Sequence, residues 1–191
     1  MAKRRLIVGV SGASGSLLAL ALMRELHRHE DVETHLVVSD GAERTWELET
    51  DKPLDELLSL ADVVHDDRNM AACISSGSFV TDGMIVCPCS MKTLAAIASG
   101  YASNLIARSA DVCLKEGRRV VLVPREMPLG KVHIRNMLTA SELGCVLVPP
   151  MLTFYNGPVT LDDEINHVVG KVLRQIGLEP TEFKAWQGVD A

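Results

Sequence analysis

The sequence lacks the features that mark membrane proteins and nucleic-acid-binding proteins. None of its apolar runs approaches the roughly 18 to 20 residues that a membrane-spanning helix requires. No stretch of Lys and Arg is interleaved with aromatic residues, and the formal net charge is −6, which argues against a nucleic-acid surface. Segment 1–5 leads into a strand pattern without the hydrophobic region of a signal peptide. We therefore expect a cytoplasmic protein that binds neither membrane nor nucleic acid.

The cysteines lack the C-x-x-C spacing of zinc and redox motifs. Most of them lie in or beside apolar segments, where a thiol behaves as a small buried hydrophobic group. Neither a bound metal nor a disulfide is therefore expected. The five cysteines are Cys73, Cys87, Cys89, Cys113 and Cys145.

What the sequence does contain is a repeated alternation of strand-like and helical segments. With 191 residues, of which 47% are hydrophobic, the chain can fill one core but not a second independent one. Strands that alternate with helices predict a parallel sheet with helices on both faces. We expect a single-domain, Rossmann-like, doubly wound α/β fold over residues 1–176. The tail that follows, 177–191, carries Trp186, which either docks on a surface groove or a neighbouring subunit, or covers the ligand as a lid.

The first strand pattern, 6–10, breaks into a glycine-rich turn before the first helix. Glycines let the backbone approach a ligand closely, and the N–H groups and positive dipole end of a helix attract anions. The spacing is Gly9, Gly12, Gly15 rather than G-x-G-x-x-G, and the second strand ends at Ser39 instead of a ribose-binding acid. This pattern favours a mononucleotide over NAD, although a tight turn alone would also satisfy it.

Two later loops repeat the arrangement of a strand that runs into a polar turn. Strand 83–87 leads into 88–93 before a small-residue helix, and strand 119–123 leads into the charged loop 124–128. Because the carboxyl ends of parallel strands share one edge of a sheet, these loops and the glycine turn predict one ligand between them.

Several charged side chains can be interpreted either as ligand contacts or as solvated surface groups. Helix pattern 41–50 carries three glutamates, of which one can point into a site, and the pattern does not say which. They are Glu43, Glu47 and Glu49. Three cations each suit a solvated face equally well when taken singly, but together they indicate an anion-binding rim. They are Arg108, Lys115 and Arg125.

The segment between the second and third long strands gives weaker signals. Strand pattern 32–38 contains His35, which we interpret as a polar-facing strand residue rather than a ligand. Segment 51–78 mixes Pro53 with acidic pairs and a serine cluster. This composition predicts a mobile surface excursion from the sheet, with one short strand at 62–65.

Five segments in matching order resemble the UbiX family of flavin prenyltransferases, within the flavin-dependent cysteine-decarboxylase-like superfamily. The resemblance covers almost the whole chain. Within the family, the sequence most resembles the subgroup associated with hydroxyarylic acid decarboxylases as an accessory protein. The segments are Gly12-Ala13-Ser14-Gly15, Glu49-Thr50-Asp51, Cys87-Pro88-Cys89-Ser90, Pro124-Arg125-Glu126 and Phe154-Tyr155.

The resemblance implies a metal-independent enzyme that joins a dimethylallyl group to N5 and C6 of reduced FMN. The donor is dimethylallyl phosphate or pyrophosphate, and the product, prenylated FMN, serves a UbiD-type aromatic acid decarboxylase. A homo-oligomer, a dodecamer by analogy, is also implied. Cleavage of an allylic C–O bond leaves a cation and a phosphate, so such a site must neutralise the phosphate and shelter the cation with aromatic faces.

The resemblance also implies individual roles. The FMN contacts are Gly12, Ala13, Ser14, Ser39, Ser90, Met91, Lys92, Thr93 and Arg125. The donor-phosphate contacts are Arg108, Lys115, Tyr155 and Lys171. The catalytic residues are Glu49 and Glu126 as acid or base, together with Ser14 and Trp186.

Three positions depart from the family pattern. Lys171 replaces an arginine, which keeps the charge but gives up the bidentate fork and weakens the expected grip on phosphate. Ala19 replaces a glycine and Arg135 replaces an acidic residue. These two changes affect helix packing or subunit contacts, and the sequence does not choose between them.

Two other functions compete with the prenyltransferase. A decarboxylase of the phosphopantothenoylcysteine type would share the fold, but Asn136-Met137 lacks the Asn-x-x-Met motif of that family. The chain would alternatively be a non-enzymatic accessory subunit of a hydroxyarylic acid decarboxylase. A protein-free filtrate that activates the decarboxylase would indicate a cofactor-producing enzyme rather than a subunit.

Overall fold

The computed structural model describes residues 3–186 and 188. Its strands within this part are β1 (Arg4–Val10), β2 (Val32–Val38), β3 (Val63–Asp66), β4 (Gly83–Cys89), β5 (Arg119–Pro124) and β6 (Val146–Leu147). Its helices are α1 (Ser16–His27), α2 (Asp40–Glu49), α3 (Asp55–Leu58), α4 (Met91–Ser99), α5 (Leu105–Lys115), α6 (Lys131–Glu142) and α7 (Leu161–Gln175). A short 3-10 turn spans Cys73–Ser75.

The strands run parallel and form one sheet in the order β3-β2-β1-β4-β5-β6. From β1 the chain moves outward to β3, then crosses back to β4 on the other side of β1. This reversal opens a crevice at the carboxyl ends of β1 and β4, where doubly wound sheets bind their ligands. The predicted parallel α/β fold is confirmed.

The two faces of the sheet are covered by different helices. Leu6 and Val8 of β1 face a core built with α1 and α7, whereas Ile7 faces a second core built with α4 and α5. Successive strand residues point to opposite faces, so the unbroken apolar pattern of β1 fills both cores. The neighbouring strand β4 is buried along its whole length. These apolar strands hold the polar loops at their carboxyl ends in fixed positions.

The segment between α2 and β4 is more regular than the sequence predicted. It contains α3, β3 and the 3-10 turn, and β3 overlaps the short strand predicted at 62–65. His35 is a strand residue, as predicted, but its side chain is buried, because β3 and the following segment cover this part of β2. Among the helices of residues 3–186, none is both long and apolar enough to cross a membrane.

Candidate active site

A cavity of about 370 Å³ lies at the carboxyl ends of β1, β2, β4 and β5. We call it the edge cavity. Every residue predicted to contact FMN lines it, and so does Glu126. Its lining residues are Gly12, Ala13, Ser14, Ser39, Gly41, Ser90, Met91, Lys92, Thr93, Asn104, Arg125 and Glu126. Gly41 and Asn104 are the members that sequence reasoning missed.

The edge cavity owes its shape to a close approach of two loops. A Cβ atom added to Gly12 would lie 2.8 Å from the carbonyl carbon of Gly41. The loops after β1 and β2 therefore touch through backbone atoms alone. Glycine at position 12 is required by this contact, not by an unusual backbone angle.

Serine side chains organise the helix ends that border the edge cavity. The Ser39 Oγ accepts a hydrogen bond from the backbone N–H of Ala42 at 3.2 Å and caps α2. The Ser90 Oγ accepts one from the N–H of Thr93 at 3.2 Å and caps α4. Two helix N-termini, each with its positive dipole end, therefore face one cavity, which favours an anionic group there.

Glu49 occupies the N-terminus of α1. Its Oε2 atom accepts hydrogen bonds from the backbone N–H of Gly15 at 3.0 Å and of Ser16 at 2.9 Å. Burial alone would raise the pKa of Glu49, but the hydrogen bonds from Ser14, Ser16 and Gly15 outweigh it and hold the pKa below its ordinary value. Glu49 is consequently the one glutamate of α2 that points into the site. The N–H groups of this helix bind a carboxylate of the chain itself, which leaves the ends of α2 and α4 for a ligand phosphate.

A second cavity of about 450 Å³ adjoins the edge cavity and shares Ser14 and Arg125 with it. We call it the adjoining cavity. Apolar side chains of α1, the loop after β6 and α7 form most of its wall, and Glu49 lies at its polar end. The apolar lining residues are Leu17, Leu18, Pro150, Met151, Leu152, Leu161, Ile165 and Val168. The sequence did not identify these residues, because an apolar lining has the same pattern as a core.

The other carboxylate proposed as acid or base is held less firmly. The Glu126 Oε1 atom accepts a hydrogen bond from the N–H of the next residue, Met127, at 3.0 Å. Its side chain is exposed and borders the edge cavity. Glu126 is thus placed beside the cavity without the network of bonds that fixes Glu49.

The cations of α5 lie apart from both cavities. The Arg108 side chain donates to the carbonyl of Ser75 at 3.1 Å and to Asp111 at 2.7 Å. The Lys115 Nζ donates to Glu116 at 2.6 Å. Neither residue lines the edge cavity or the adjoining cavity. The predicted convergence of Arg108 and Lys115 with Arg125 on one rim does not occur within these two cavities of a single chain.

The remaining phosphate candidates gather beside α7. The Tyr155 hydroxyl lies 3.1 Å from the Nε2 of His167, and its ring packs edge-on against Trp186 with centroids 5.7 Å apart. The Lys171 Nζ lies 5.6 Å from the centroid of the Phe183 ring. This cluster uses a face of α7 next to the one that lines the adjoining cavity. Tyr155, Lys171 and Trp186 are thus brought together, but outside that cavity.

The tail is anchored by residues that the sequence did not single out. Phe183 packs over Gly170 so closely that a Cβ at position 170 would lie 2.3 Å from the ring. Its ring also stacks on His167, with centroids 5.1 Å apart. Two residues before Phe183, the Thr181 N–H donates to Glu25 at 2.5 Å. The tail therefore docks on its own α7 and α1 as far as Trp186, and residues 187 and 189–191 lie outside the described residues.

We expect the substitution Phe183→Ala to release the tail and to raise the exposure of Trp186 above the 59% that it has in the docked tail. Trp46, the only other tryptophan, is 3% exposed, so a rise in acrylamide quenching of tryptophan fluorescence would come from Trp186. Tyr101→Ala, which removes an exposed aromatic ring elsewhere, serves as the control. Equal quenching in the wild type and Phe183→Ala would contradict the anchoring role.

Asp67 holds one of the missed cavity residues in place. Its Oδ2 accepts from the side-chain amide of Asn104 at 2.8 Å, and its Oδ1 accepts from the N–H of Ile106 at 3.0 Å. The Asn104 Oδ1 in turn accepts from the N–H of Ala107 at 3.0 Å and caps α5. Burial raises the pKa of Asp67, and the two hydrogen bonds to its carboxylate oppose this effect. Asp67 therefore fixes the direction in which Asn104 faces the edge cavity.

We expect Asp67→Ala to weaken flavin binding by roughly 10- to 150-fold, because Asn104 loses a hydrogen bond to a charged group that is worth roughly 1.5–3 kcal/mol. Titration of the protein with FMN, followed by flavin fluorescence, measures the effect. Asp66→Ala, at the adjacent exposed carboxylate, provides the control. If the two variants bound FMN equally well, Asp67 would have no role in positioning Asn104.

The comparisons with known proteins agree on one family. The Flavoprotein family model matches residues 1–177. A "probable UbiX-like flavin prenyltransferase" from Sedimentibacter hydroxybenzoicus is 60% identical over 184 residues, which cover 96% of this chain and 97% of the relative.

Two solved structures are similar over nearly their whole length. A crystal structure of AnUbiX (PadA1) in complex with FMN and dimethylallyl pyrophosphate has a TM-score of 0.95 and 48% identity, and covers 98% of this chain and 100% of that one. A dodecameric FMN-dependent UbiX-like decarboxylase from Escherichia coli O157:H7 has a TM-score of 0.94 and 55% identity, and covers 96% and 100%.

Proposed function

Because the chain belongs to the UbiX family of flavin prenyltransferases, we propose that it transfers a dimethylallyl group to N5 and C6 of reduced FMN. The observation that carries the proposal is the pairing of the two cavities. A polar cavity lined by every predicted FMN contact shares Ser14 and Arg125 with an apolar cavity large enough for a short hydrocarbon group. The AnUbiX relative binds FMN together with dimethylallyl pyrophosphate, which supports the same pairing here.

The residues of the edge cavity fit FMN. The ends of α2 and α4, with the hydroxyl groups of Ser39, Ser90 and Thr93, suit its phosphate. The contact between Gly12 and Gly41 keeps the wall of the cavity free of side chains. When bound and reduced, the flavin supplies the nucleophilic nitrogen and carbon of the reaction.

The chain's own residues would then act on the donor. The allylic C–O bond would break with its electron pair leaving on the phosphate as a C–N bond forms at N5, which gives up its proton. The prenyl C=C bond would then open, one of its carbons taking up a proton and the other forming the C–C bond to C6, which releases a proton, so that one proton is lost overall. Arg125, which borders both cavities, neutralises negative charge between them. Glu49, ionised at neutral pH, or Glu126 accepts the proton at C6, a role that the released phosphate would otherwise take. Apolar side chains of the adjoining cavity keep water from the allylic carbon.

We propose that the donor phosphate is bound by Arg108, Lys115, Tyr155 and Lys171 only in the assembled oligomer, with Trp186 as part of a lid. These side chains lie outside both cavities of one chain, and a relative at 55% identity is dodecameric. Co-assembly of Glu49→Gln and Lys171→Ala chains should restore activity that neither variant has alone. No gain in the mixed oligomers would place the phosphate contacts elsewhere.

The proposed activity is tested by incubating the protein anaerobically with reduced FMN and either dimethylallyl phosphate or pyrophosphate. Mass spectrometry should detect a flavin heavier by one prenyl unit, and the two donors identify the true substrate. An unchanged flavin mass with both donors would refute the proposal. A protein-free filtrate that activates a UbiD-type decarboxylase would then distinguish a cofactor-producing enzyme from an accessory subunit of that decarboxylase.

We also propose a cytoplasmic location. All five cysteines of the chain are free thiols in the described residues, as is usual in a reducing compartment. Fractionation of cells that express the tagged chain tests this proposal.

A further inference from the structure

We propose a binding site for a divalent transition metal ion of the zinc type, formed by His35, His65 and Cys73, separate from the prenyl-transfer site. The three ligand atoms all lie within 4.8 Å of one another. The proposal does not depend on the flavin chemistry, because none of these residues lines the edge cavity or the adjoining cavity.

The sheet register brings the two histidines together. His35 is paired with Val63, and His65 is paired with Val37, so the two imidazoles are diagonal neighbours on one face of β2 and β3. Their rings stack with centroids 5.2 Å apart at an interplanar angle of 11°. The Nδ1 of His35 lies 2.9 Å from the Nε2 of His65. Cys73 reaches the same place from the 3-10 turn.

The Glu33 carboxylate fixes which ring nitrogen of the buried His35 carries a hydrogen. The Glu33 Oε1 lies 2.9 Å from the Nε2 of His35 and 3.2 Å from the Nε of Arg5. Because an ionised carboxylate only accepts hydrogen bonds, the Nε2 of His35 carries a hydrogen, and in the neutral ring the Nδ1 lone pair faces the Nε2 of His65. A carboxylate behind a histidine in this way orients the imidazole toward a metal and raises its basicity.

His65 presents its Nε2 atom to the same place, 2.9 Å from the Nδ1 of His35. An imidazole that carries its hydrogen on Nδ1 offers the Nε2 lone pair to an ion.

The ligand set selects the class of ion. Two imidazole nitrogens and one thiolate suit Zn²⁺ and Co²⁺. In a tetrahedral site of this kind the ligand atoms are separated by roughly 3.3 to 3.6 Å. To reach these separations, the Nδ1 of His35 and the Nε2 of His65 must move apart by a few tenths of an ångström. The Cys73 sulfur must approach the two nitrogens from a separation of at most 4.8 Å. The exposed Cys73 provides the entrance, and its thiol releases one proton on binding.

Such an ion would fasten the edge of the sheet. It would tie edge strand β3 and the 3-10 turn to β2, which lies next to the central strand β1. Metal binding to the folded chain alone stabilises it in proportion to affinity and concentration. The sequence predicted no metal site because the three ligands are far apart in the chain and only the fold assembles them.

The test uses the intact protein, stripped with a chelator and titrated with Co²⁺ and then with Zn²⁺. We expect one tetrahedral Co²⁺ per chain with a thiolate-to-cobalt absorption band, displaced by Zn²⁺, and a rise in Tm with Zn²⁺. The other four thiols are buried, and burial raises the pKa of Cys87 to about 12 and that of Cys145 to about 11. They should not contribute to the band.

Variants separate this site from adventitious binding. Cys73→Ser, an exposed substitution, should abolish the charge-transfer band, and His65→Ala should lower Co²⁺ affinity at least 100-fold. Glu33→Gln should lower it by roughly 10- to 100-fold, as expected for a carboxylate behind a ligand. His27→Ala, which removes a histidine outside the cluster, should leave the metal affinity unchanged. FMN binding by each variant verifies that it is folded. Absence of the band in the wild type, or its persistence in Cys73→Ser, would overturn the proposal.

Discussion

Gly12→Ala should lower the affinity for FMN at least 100-fold, about 2.8 kcal/mol of binding free energy. The added methyl group would lie 2.8–3.0 Å from backbone atoms of Gly41. Backbone atoms cannot turn aside as a flexible side chain can, so the loops after β1 and β2 must separate. Both loops line the edge cavity, and their separation would change the shape of its wall. Titration with FMN measures the loss directly.

The control for this substitution is Gly130→Ala. Gly130 precedes α6 with an ordinary φ of −81°, and a Cβ there would meet only the His133 ring, 3.7 Å away. The same added methyl group should therefore leave FMN binding near the wild-type value. Thermal unfolding must show that Gly12→Ala is still folded, since crowding of this kind typically costs about 1–3 kcal/mol of stability. A folded Gly12→Ala protein that bound FMN normally would show that the two loops do not define the flavin site.

The fold and the polar cavity were predictable because their signals are local. Alternating strand and helix patterns indicate a parallel sheet, and polar turns after buried strands must meet at one edge. Ser39, Ser90 and Arg125 each follow a strand directly, so no knowledge of tertiary contacts was needed to bring them to one place.

The features that could not be predicted depend on contacts between distant segments. The choice of Glu49 over Glu43 and Glu47 follows from how α2 is rotated against the start of α1. The burial of His35 follows from the pairing of β2 with β3, and the docking of Phe183 follows from the missing side chain at Gly170. Local periodicity carries no information about such partners.

The positions of the donor-phosphate residues could not be predicted for a different reason. In the sequence, Arg108 and Lys171 look like solvated charges. Within one chain Arg108 pairs with Asp111 and donates to the carbonyl of Ser75, and Lys171 lies against the Phe183 ring. The role that we propose for them depends on surfaces of other protomers, which local patterns in the sequence of one chain do not encode.

Glu49→Gln should keep FMN bound but slow prenyl transfer by about 100- to 10,000-fold, the usual contribution of a positioned acid or base. The glutamine oxygen can still accept hydrogen bonds from the N–H groups of Gly15 and Ser16, so the turn keeps its shape. What the substitution removes is the negative charge and the capacity to take a proton. Single-turnover formation of prenylated FMN, monitored by mass spectrometry, measures the change.

The Glu49→Gln substitution should also change how the unfolding free energy depends on pH. The pKa of Glu49 in the folded chain lies below its ordinary value of 4.5, so its carboxylate stabilises the fold fully above that value. This contribution is lost as the pH falls through the lower pKa of the folded chain. The difference in unfolding free energy between wild type and Glu49→Gln should therefore be constant near neutral pH and shrink below about pH 4.5.

Glu47→Gln is the matched control, since Glu47 lies on the same helix but pairs with Arg44 at the surface. It should leave prenyl transfer unchanged. A Glu49→Gln enzyme that formed product at the wild-type rate would remove Glu49 from the catalytic residues and leave Glu126 or the released phosphate to accept the proton. Loss of FMN binding in Glu49→Gln would instead assign Glu49 to the architecture of the glycine turn, because its carboxylate would then be needed to hold Gly15 and Ser16 in place.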